Sequence, residues 1–315
     1  MPNYNGVWSL TTQLQYNTDW QADNVSPARV FAAGIGLFFG GASNSVVIDK
    51  VNITSAGNAT DFGDLLTGTG GGGAVGSTTR GVVAGASTNE IQYVTFATAG
   101  NATDFGDQSV SRNLGNAGSN STRGLFFAGT PSSYSNIVDY ITIDTTGNAT
   151  DFGDVTNAST SGAGFASTTR AIYAGGGAGG SNRYNNIDYF TIDTTGNATD
   201  FGNLSAGKEN PNGCSSNTRG IFAGGYTGSV ILDVIEYITI ANTGDVSDFG
   251  DLTSSTSNMN GCTSNQTTAV MHRTGDSIET VTIASTGNAS DFGDLTVSRS
   301  VRTCATGNLH GGIAA

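Results

Sequence analysis

The triplet Asp-Phe-Gly occurs six times, beginning at Asp61, Asp104, Asp151, Asp200, Asp248 and Asp291, so that one copy follows another at a nearly constant spacing. A degenerate copy, Asp19-Trp20, stands one further period before the first. A period of about 40 to 50 residues is that of four-stranded propeller blades, whereas β-helix rungs are much shorter. Each repeat divides into four parts. The first follows the triplet and reads like Leu295-Thr296-Val297-Ser298-Arg299. The second is a Gly-rich apolar strand such as Arg123 to Gly129 or Arg219 to Gly225. The third alternates with period two and is β-branched and aromatic, as in Ile187 to Ile192 and Ile235 to Ile240, which marks a strand. The fourth is Gly-Asn-Ala-Thr-Asp-Phe-Gly-Asp, whose Gly-Asn supplies a hairpin turn into the last strand. Four short strands make a sheet too small to stand alone, but stacked sheets bury each other's faces.

Composition agrees. Glycine is 47 of 315 residues, about double average usage, and no segment holds a 3.6-residue apolar period, so helices are excluded. The 15 Phe and 10 Tyr recur at fixed places, which argues for a packed core over low-complexity disorder.

The chain ends place the closure of the ring. Gly-rich second strands fall near Leu37, Val82, Leu125, Ile172 and Ile221, with a weaker sixth at Ala269 to Met271. The C-terminal Leu309 to Ala315 aligns with a seventh. The N-terminus starts at a third strand, Trp8-Ser9-Leu10, and reaches Trp20 at the spacing that separates Tyr93 from Phe105. The path from Asp291 through both ends to Asp19 is also one period long. The expectation is therefore an all-β, seven-bladed propeller of four-stranded antiparallel blades in a single domain, 1–315. The termini supply two strands each to the seventh blade, about 295–315 plus 1–20. Closure of that kind removes exposed sheet edges.

A di-glycine ending one strand, an aromatic in the next and an aromatic in the last resemble the kelch repeat. The matching residues are Gly224-Gly225, Tyr237 and Phe249, or Gly175-Gly176, Tyr189 and Phe201. Kelch has Trp where this chain has Phe; Trp8 and Trp20 are the exceptions. Gly-Asn-Ala-Thr-Asp-Phe-Gly-Asp-Leu, with Ser-Thr-Arg-Gly and Ala-Gly-Gly, looks like repeat proteins encoded by bacteriophages of marine cyanobacteria. That resemblance covers almost the whole chain. It implies a virion location and a non-enzymatic structural or adhesion role in a tail, fibre or capsid decoration, with other virion proteins as partners. It identifies no mechanism, since fold does not imply function. The alternative is a lectin module for host-surface glycan, and the third reading is a glycan-degrading enzyme.

Other function classes are disfavoured. A net charge of −13 repels nucleic-acid backbones. The N-terminus lacks a signal-peptide pattern, and no apolar run approaches the length of a membrane span. Asp-Phe-Gly is also the metal-holding triplet of protein kinases, but here it comes six times without the accompanying kinase motifs. No cofactor or metal is expected; two histidines cannot build a His-rich site.

Eleven of the 25 acidic residues lie in the repeated turn, as pairs such as Asp61 and Asp64 or Asp291 and Asp294. Two readings stay open. They bond turn amides or pair with the repeated Arg80, Arg123, Arg170 and Arg219, or some turns hold Ca²⁺, a hard cation that prefers oxygen. Asn58, Asn101, Asn148 and Asn197 fit the N-glycosylation sequon, which their place in a repeated turn explains better. Cys214, Cys262 and Cys304 fall at one repeat position after their triplets and are expected to be small core residues without a disulfide. The loops between second and third strands, 130–135, 177–186 and 226–230, vary most. Binding residues concentrate in such loops, and Tyr134, Arg183, Tyr184 and Tyr226 are the candidates.

Overall fold

The computed structural model describes residues 34–313 except 42–43, 86–87, 114, 131–132, 258–260 and 300–302. Among them 24 strands form six four-stranded antiparallel sheets. Blade 1 is β24 (Cys304–Gly307), β1 (Ile35–Phe39), β2 (Val47–Asn52) and β3 (Thr60–Asp64), from the axis outward. Blade 2 is β4 (Gly73–Gly76), β5 (Arg80–Ala84), β6 (Glu90–Thr95) and β7 (Thr103–Asp107). Blade 3 is β8 (Asn116–Ser119), β9 (Arg123–Phe127), β10 (Ser135–Thr142) and β11 (Thr150–Ser159). Blade 4 is β12 (Ala163–Ala166), β13 (Arg170–Ala174), β14 (Asn186–Thr191) and β15 (Thr199–Asn203). Blade 5 is β16 (Asn212–Ser215), β17 (Arg219–Ala223), β18 (Val234–Thr239) and β19 (Ser247–Asp251). Blade 6 is β20 (Cys262–Ser264), β21 (Thr268–His272), β22 (Gly275–Thr282) and β23 (Ser290–Arg299). The innermost strands β24, β4, β8, β12, β16 and β20 touch in that order and return to β24, so the ring is closed.

The ring therefore has six blades where the repeat count anticipates seven. The discrepancy lies at the ends of the chain. Cys304–Gly307 is an innermost strand, paired with β1 from Gly36↔Gly307 to Phe39↔Cys304. It completes the blade that contains Leu37 and does not begin another, so closure joins one C-terminal strand to three from residues 35–64. Residues 309–313 form turns and no second strand. The expected first strand, Leu295 to Arg299, is the continuation of the outermost strand β23, and the true innermost strand follows it. Trp8, Asp19 and Trp20, assigned to the closing blade from sequence, lie outside the described residues.

The Asp-Phe-Gly triplet is a β-bulge. In every blade the pairing of the third strand with the fourth skips one residue, as from Ile187↔Gly202 to Asp188↔Asp200, passing over Phe201. The skipped Phe turns into the gap between blades. Six apolar clusters, one per gap, each contain one such ring: Phe62, Phe105, Phe152, Phe201, Phe249 or Phe292. Burying one Phe is worth roughly 1.5–3 kcal/mol, repeated around the ring.

The glycine of the triplet is required by close approach. Gly106 has φ +143°, and a Cβ there would lie 2.5 Å from the carbonyl oxygen of Gly147 in the next blade. That neighbour is the Gly-Asn-Ala turn, which clips onto the bulged edge. Gly147 N–H donates to Phe105 O (2.7 Å), Ala149 N–H to Asp107 O (2.7 Å), and Asp107 N–H to Asn148 Oδ1 (3.1 Å). The same three bonds recur across all six gaps, with Asp245 in place of Asn in one. The repeated asparagines, including Asn58, Asn101 and Asn197, thus cap the neighbouring blade's edge.

Candidate functional site: the loop face and the central channel

In a four-stranded up-and-down blade, the connections 1–2 and 3–4 lie at one end, and the connections 2–3 and the crossovers at the other. The first end carries tight, repetitive turns. The second, the loop face, carries segments that differ from blade to blade. Its longest second-to-third-strand connections are 175–185 in blade 4 and 224–233 in blade 5.

The structure brings three of the four predicted loop residues into one strip across blades 3 to 5. The Arg183 guanidinium sits 4.9 Å from the centre of the Tyr226 ring and pairs with Glu209 at 2.9 Å. It also donates to Gly180 O (3.2 Å), and Tyr226 Oη donates to Gly228 O (2.6 Å). Tyr134 is 42% exposed and reaches the same loop, its hydroxyl resting against Gly179. Tyr184 is half-buried; its main chain ties the loop down, N–H to Gly176 O (2.9 Å) and O from Lys208 N–H (3.1 Å). The strip continues into Val230 and Ile231, 54% and 45% exposed. Glu209 and Ile231 escaped the sequence reading. The signal for Glu209 was a lone acid in a crossover of a chain with few charges.

A second repeat, buried beneath this face, holds it rigid. At the third-strand position that precedes Tyr in blades 2 to 5, Lys50 in blade 1 and Thr280 in blade 6, the blades carry Asp49, Gln92, Asp139, Asp188, Glu236 and Glu279, all buried. Each accepts the backbone N–H of the crossover leaving the preceding blade: Thr296 to Asp49 (3.2 Å), Leu66 to Gln92 (2.6 Å), Ser109 to Asp139 (3.0 Å), Thr156 to Asp188 (2.7 Å), Ser205 to Glu236 (3.1 Å) and Thr253 to Glu279 (3.1 Å). Four are also paired with a cation: Arg299 with Asp49 (2.6 Å), Arg112 with Asp139 (2.7 Å), Lys208 with Glu236 (2.5 Å) and Arg273 with Glu279 (2.5 Å). Asp188 has no such cation among the described residues, and burial raises its pKa. Burial likewise lowers the pKa of Arg112 and Arg299 against the pull of their carboxylates.

Asp61, Asp104, Asp151, Asp200, Asp248 and Asp291 are exposed, and among the described residues none forms an ion pair with the repeated arginines. Arg80, Arg123, Arg170 and Arg219 instead stack on Tyr93, Tyr140, Tyr189 and Tyr237 at 4.3 to 4.6 Å. Each then donates across the gap to a carbonyl: Ile143, Ile192, Ile240 or Ile283. A planar guanidinium that is weakly hydrated suits this half-buried place. Among the described residues no group of three or more His, Cys, Asp or Glu side chains is placed to hold a metal ion.

The central channel is a cavity of about 40 Å³ walled by the innermost strands, room for a few waters. The segment after β24 crosses its mouth on the turn face. His310 Nε2–H donates to Gly76 O (2.8 Å), and its Nδ1 accepts Gly312 N–H (3.1 Å). Gln266 Nε2 holds His310 O (2.9 Å) and Ile313 O (3.1 Å). Burial lowers the His310 pKa to about 4, so the ring is neutral. The buried His272 is arranged alike, Nε2–H to Gly275 O (3.1 Å) and Nδ1 beside Thr303 Oγ1 (3.2 Å), and its pKa is also lowered by burial to about 4.

The cysteines do not share one position. Cys214 and Cys262 form a disulfide between the innermost strands of blades 5 and 6, with Cα atoms 5.7 Å apart, contrary to the sequence expectation. Cys304 is a buried thiol, its pKa pushed up to about 12 by burial. No protein-family model matches this chain, and no curated protein matches it.

Proposed function

We propose that this protein is a non-enzymatic docking module that binds another protein through the loop face of blades 3 to 5. The observation that carries the proposal is the strip of Tyr134, Arg183, Tyr226, Val230 and Ile231, raised in part on connections longer than those of the other blades and backed by buried clamps. Tyr and Arg dominate binding energy at protein interfaces, because they bury large areas and also form hydrogen bonds. A rigid backing lowers the ordering cost of association. The central channel, another concave feature, is covered by His310 and holds only about 40 Å³.

The kelch-like repeat and its resemblance to cyanophage repeat proteins support a virion component, in a tail, fibre or capsid decoration, that docks on other virion proteins. Quantitative mass spectrometry of gradient-purified particles from the source tests this. Recovery at a fixed ratio to the capsid protein is the expected result; absence from clean particles refutes it. The exposed Tyr134 ring also suits stacking on a sugar, which makes a host-surface glycan the second reading. Glycan-array binding lost in Tyr134→Ala and Tyr226→Ala would favour it over protein docking.

A further inference from the structure

Cys214 and Cys262 stand the same distance after their triplets, counted from Asp200 and from Asp248. Two residues at one position of neighbouring blades would face the same way and could not meet. They meet because their registers differ by one. Cys214 pairs with Ile221, two residues after Arg219 opens β17. The residue at that level in blade 6 is Thr263, paired with Val270, two residues after Thr268 opens β21. Cys262 is one step earlier, opposite Met271. A one-residue slip turns a side chain to the other face of its sheet. Cys214 and Cys262 therefore point toward each other into the gap between blades 5 and 6, within a single apolar cluster.

We infer that this bond is a maturation staple, closed once blades 5 and 6 have packed together, and that the protein works in oxidising surroundings. Three observations carry this. The Cα separation of 5.7 Å lies within the range that disulfides span. The cysteines are 48 residues apart and lie in neighbouring blades, so they meet only when blade 6 packs against blade 5. Both are buried, and the third cysteine is held apart as a buried thiol whose raised pKa makes it a poor exchange partner. Structural disulfides persist outside the reducing cytoplasm. A staple in one gap ties two blades of a ring that closes at blade 1 through hydrogen bonds between β24 and β1.

The oxidant is a small-molecule disulfide such as oxidised glutathione. One cysteine thiolate displaces a glutathione thiolate to form a mixed disulfide, and the second displaces the other. The protein loses two protons and two electrons, and two molecules of reduced glutathione form. The inference does not depend on the docking proposal, since it concerns the innermost strands and not the loop-face strip.

The test uses the full chain. After incubation in oxidised glutathione and unfolding without reductant, N-ethylmaleimide should label one thiol per chain, Cys304, and peptide mapping should recover residues 214 and 262 as a linked pair. Three labelled thiols would overturn the staple. Full reduction, verified by labelling, should lower Tm by roughly 5–10 °C, while the Cys214→Ser/Cys262→Ser variant should not respond to reductant. An unchanged Tm on verified reduction would refute the stabilising role. Protein isolated from its natural location with three free thiols would refute the oxidising surroundings.

Discussion

Asp139→Asn and Asp188→Asn are the same chemical change at the same repeat position, yet the structure predicts different outcomes. Asp139 takes Ser109 N–H (3.0 Å) and Ser109 Oγ–H (2.7 Å) and pairs with Arg112 at 2.7 Å. Arg112 is 2% exposed and also donates to Phe126 O (2.7 Å), so it cannot leave for solvent. Its approach to Asp139 is a charge pair more than an aligned hydrogen bond, since that Nη2 finds no properly oriented acceptor. An amide at residue 139 keeps the volume and the crossover bond but strands the guanidinium in the interior. Removing one partner of a buried pair costs about 3–5 kcal/mol. Asp188 receives Thr156 N–H, Thr156 Oγ–H and Asn186 Nδ2–H, all neutral donors. Its replacement strands no charge and removes the desolvation penalty that raises its pKa, so the change should fall within about 1 kcal/mol of wild type. Blade 2 already shows that the clamp works uncharged, for Gln92 accepts from Leu66 and Thr67 and donates to Thr67 O. The assay is thermal unfolding at pH 7 with both variants side by side. At about 2–4 °C per kcal/mol, Asp139→Asn should lose roughly 6–20 °C and Asp188→Asn no more than about 4 °C. The double variant Asp139→Asn/Arg112→Met should recover most of the loss, because it removes the stranded cation. Equal losses in the two single variants, or no recovery in the double, would refute the reasoning.

Gly106→Ala should destabilise by more than about 2 kcal/mol, since its Cβ meets the Gly147 backbone at a positive φ; urea midpoints measure this, and an unchanged midpoint would show that the blade gap yields. Arg170→Met should cost about 1–2 kcal/mol by losing the stack on Tyr189 and the bond to Ile240 O (2.8 Å), read as a modest fall in Tm. Acid stability should follow the two buried histidines. Their folded pKa values, about 4, lie below the ordinary 6.5, so their contribution is complete above pH 6.5 and lost as pH falls toward 4. The loss is at most between about 3 and 4 kcal/mol per histidine, and His310→Gln should flatten part of the Tm–pH curve in that window. Asp188, whose pKa is raised, contributes with the opposite sign, its penalty easing as pH falls.

Much of the fold was legible because it is local. Period-two alternation in Ile187 to Ile192 specifies a strand without reference to the rest of the chain. The recurring Phe announces a repeated apolar contact, and the turn-rich Gly-Asn-Ala announces a hairpin. The loops bearing Tyr134, Arg183 and Tyr226 were visible as the variable parts of an otherwise regular series. The meeting of Arg183 with Tyr226 and Glu209 was not, because it joins blade 4 to blade 5 and to the crossover between them. The burial of the acids from Asp49 to Glu279 was not legible, because an acid alternating with apolar residues along one strand carries no mark of what covers its face. Only stacking a second blade over that face buries them, and only then does their bond to the preceding crossover exist.

The sequence by itself determined the repeat, the four-strand composition of each blade and the residue types that fill the gaps, since these depend on neighbours along the chain. The tertiary structure decided the number of blades, the way the ring closes and which cysteines meet. Blade number turned on whether Cys304–Gly307 is an innermost strand, which is set by its hydrogen bonds to β1, near the opposite end of the described chain. The cysteine pairing turned on a one-residue difference in register between adjacent strands, which spacing from the triplet cannot record because the intervening crossovers absorb it.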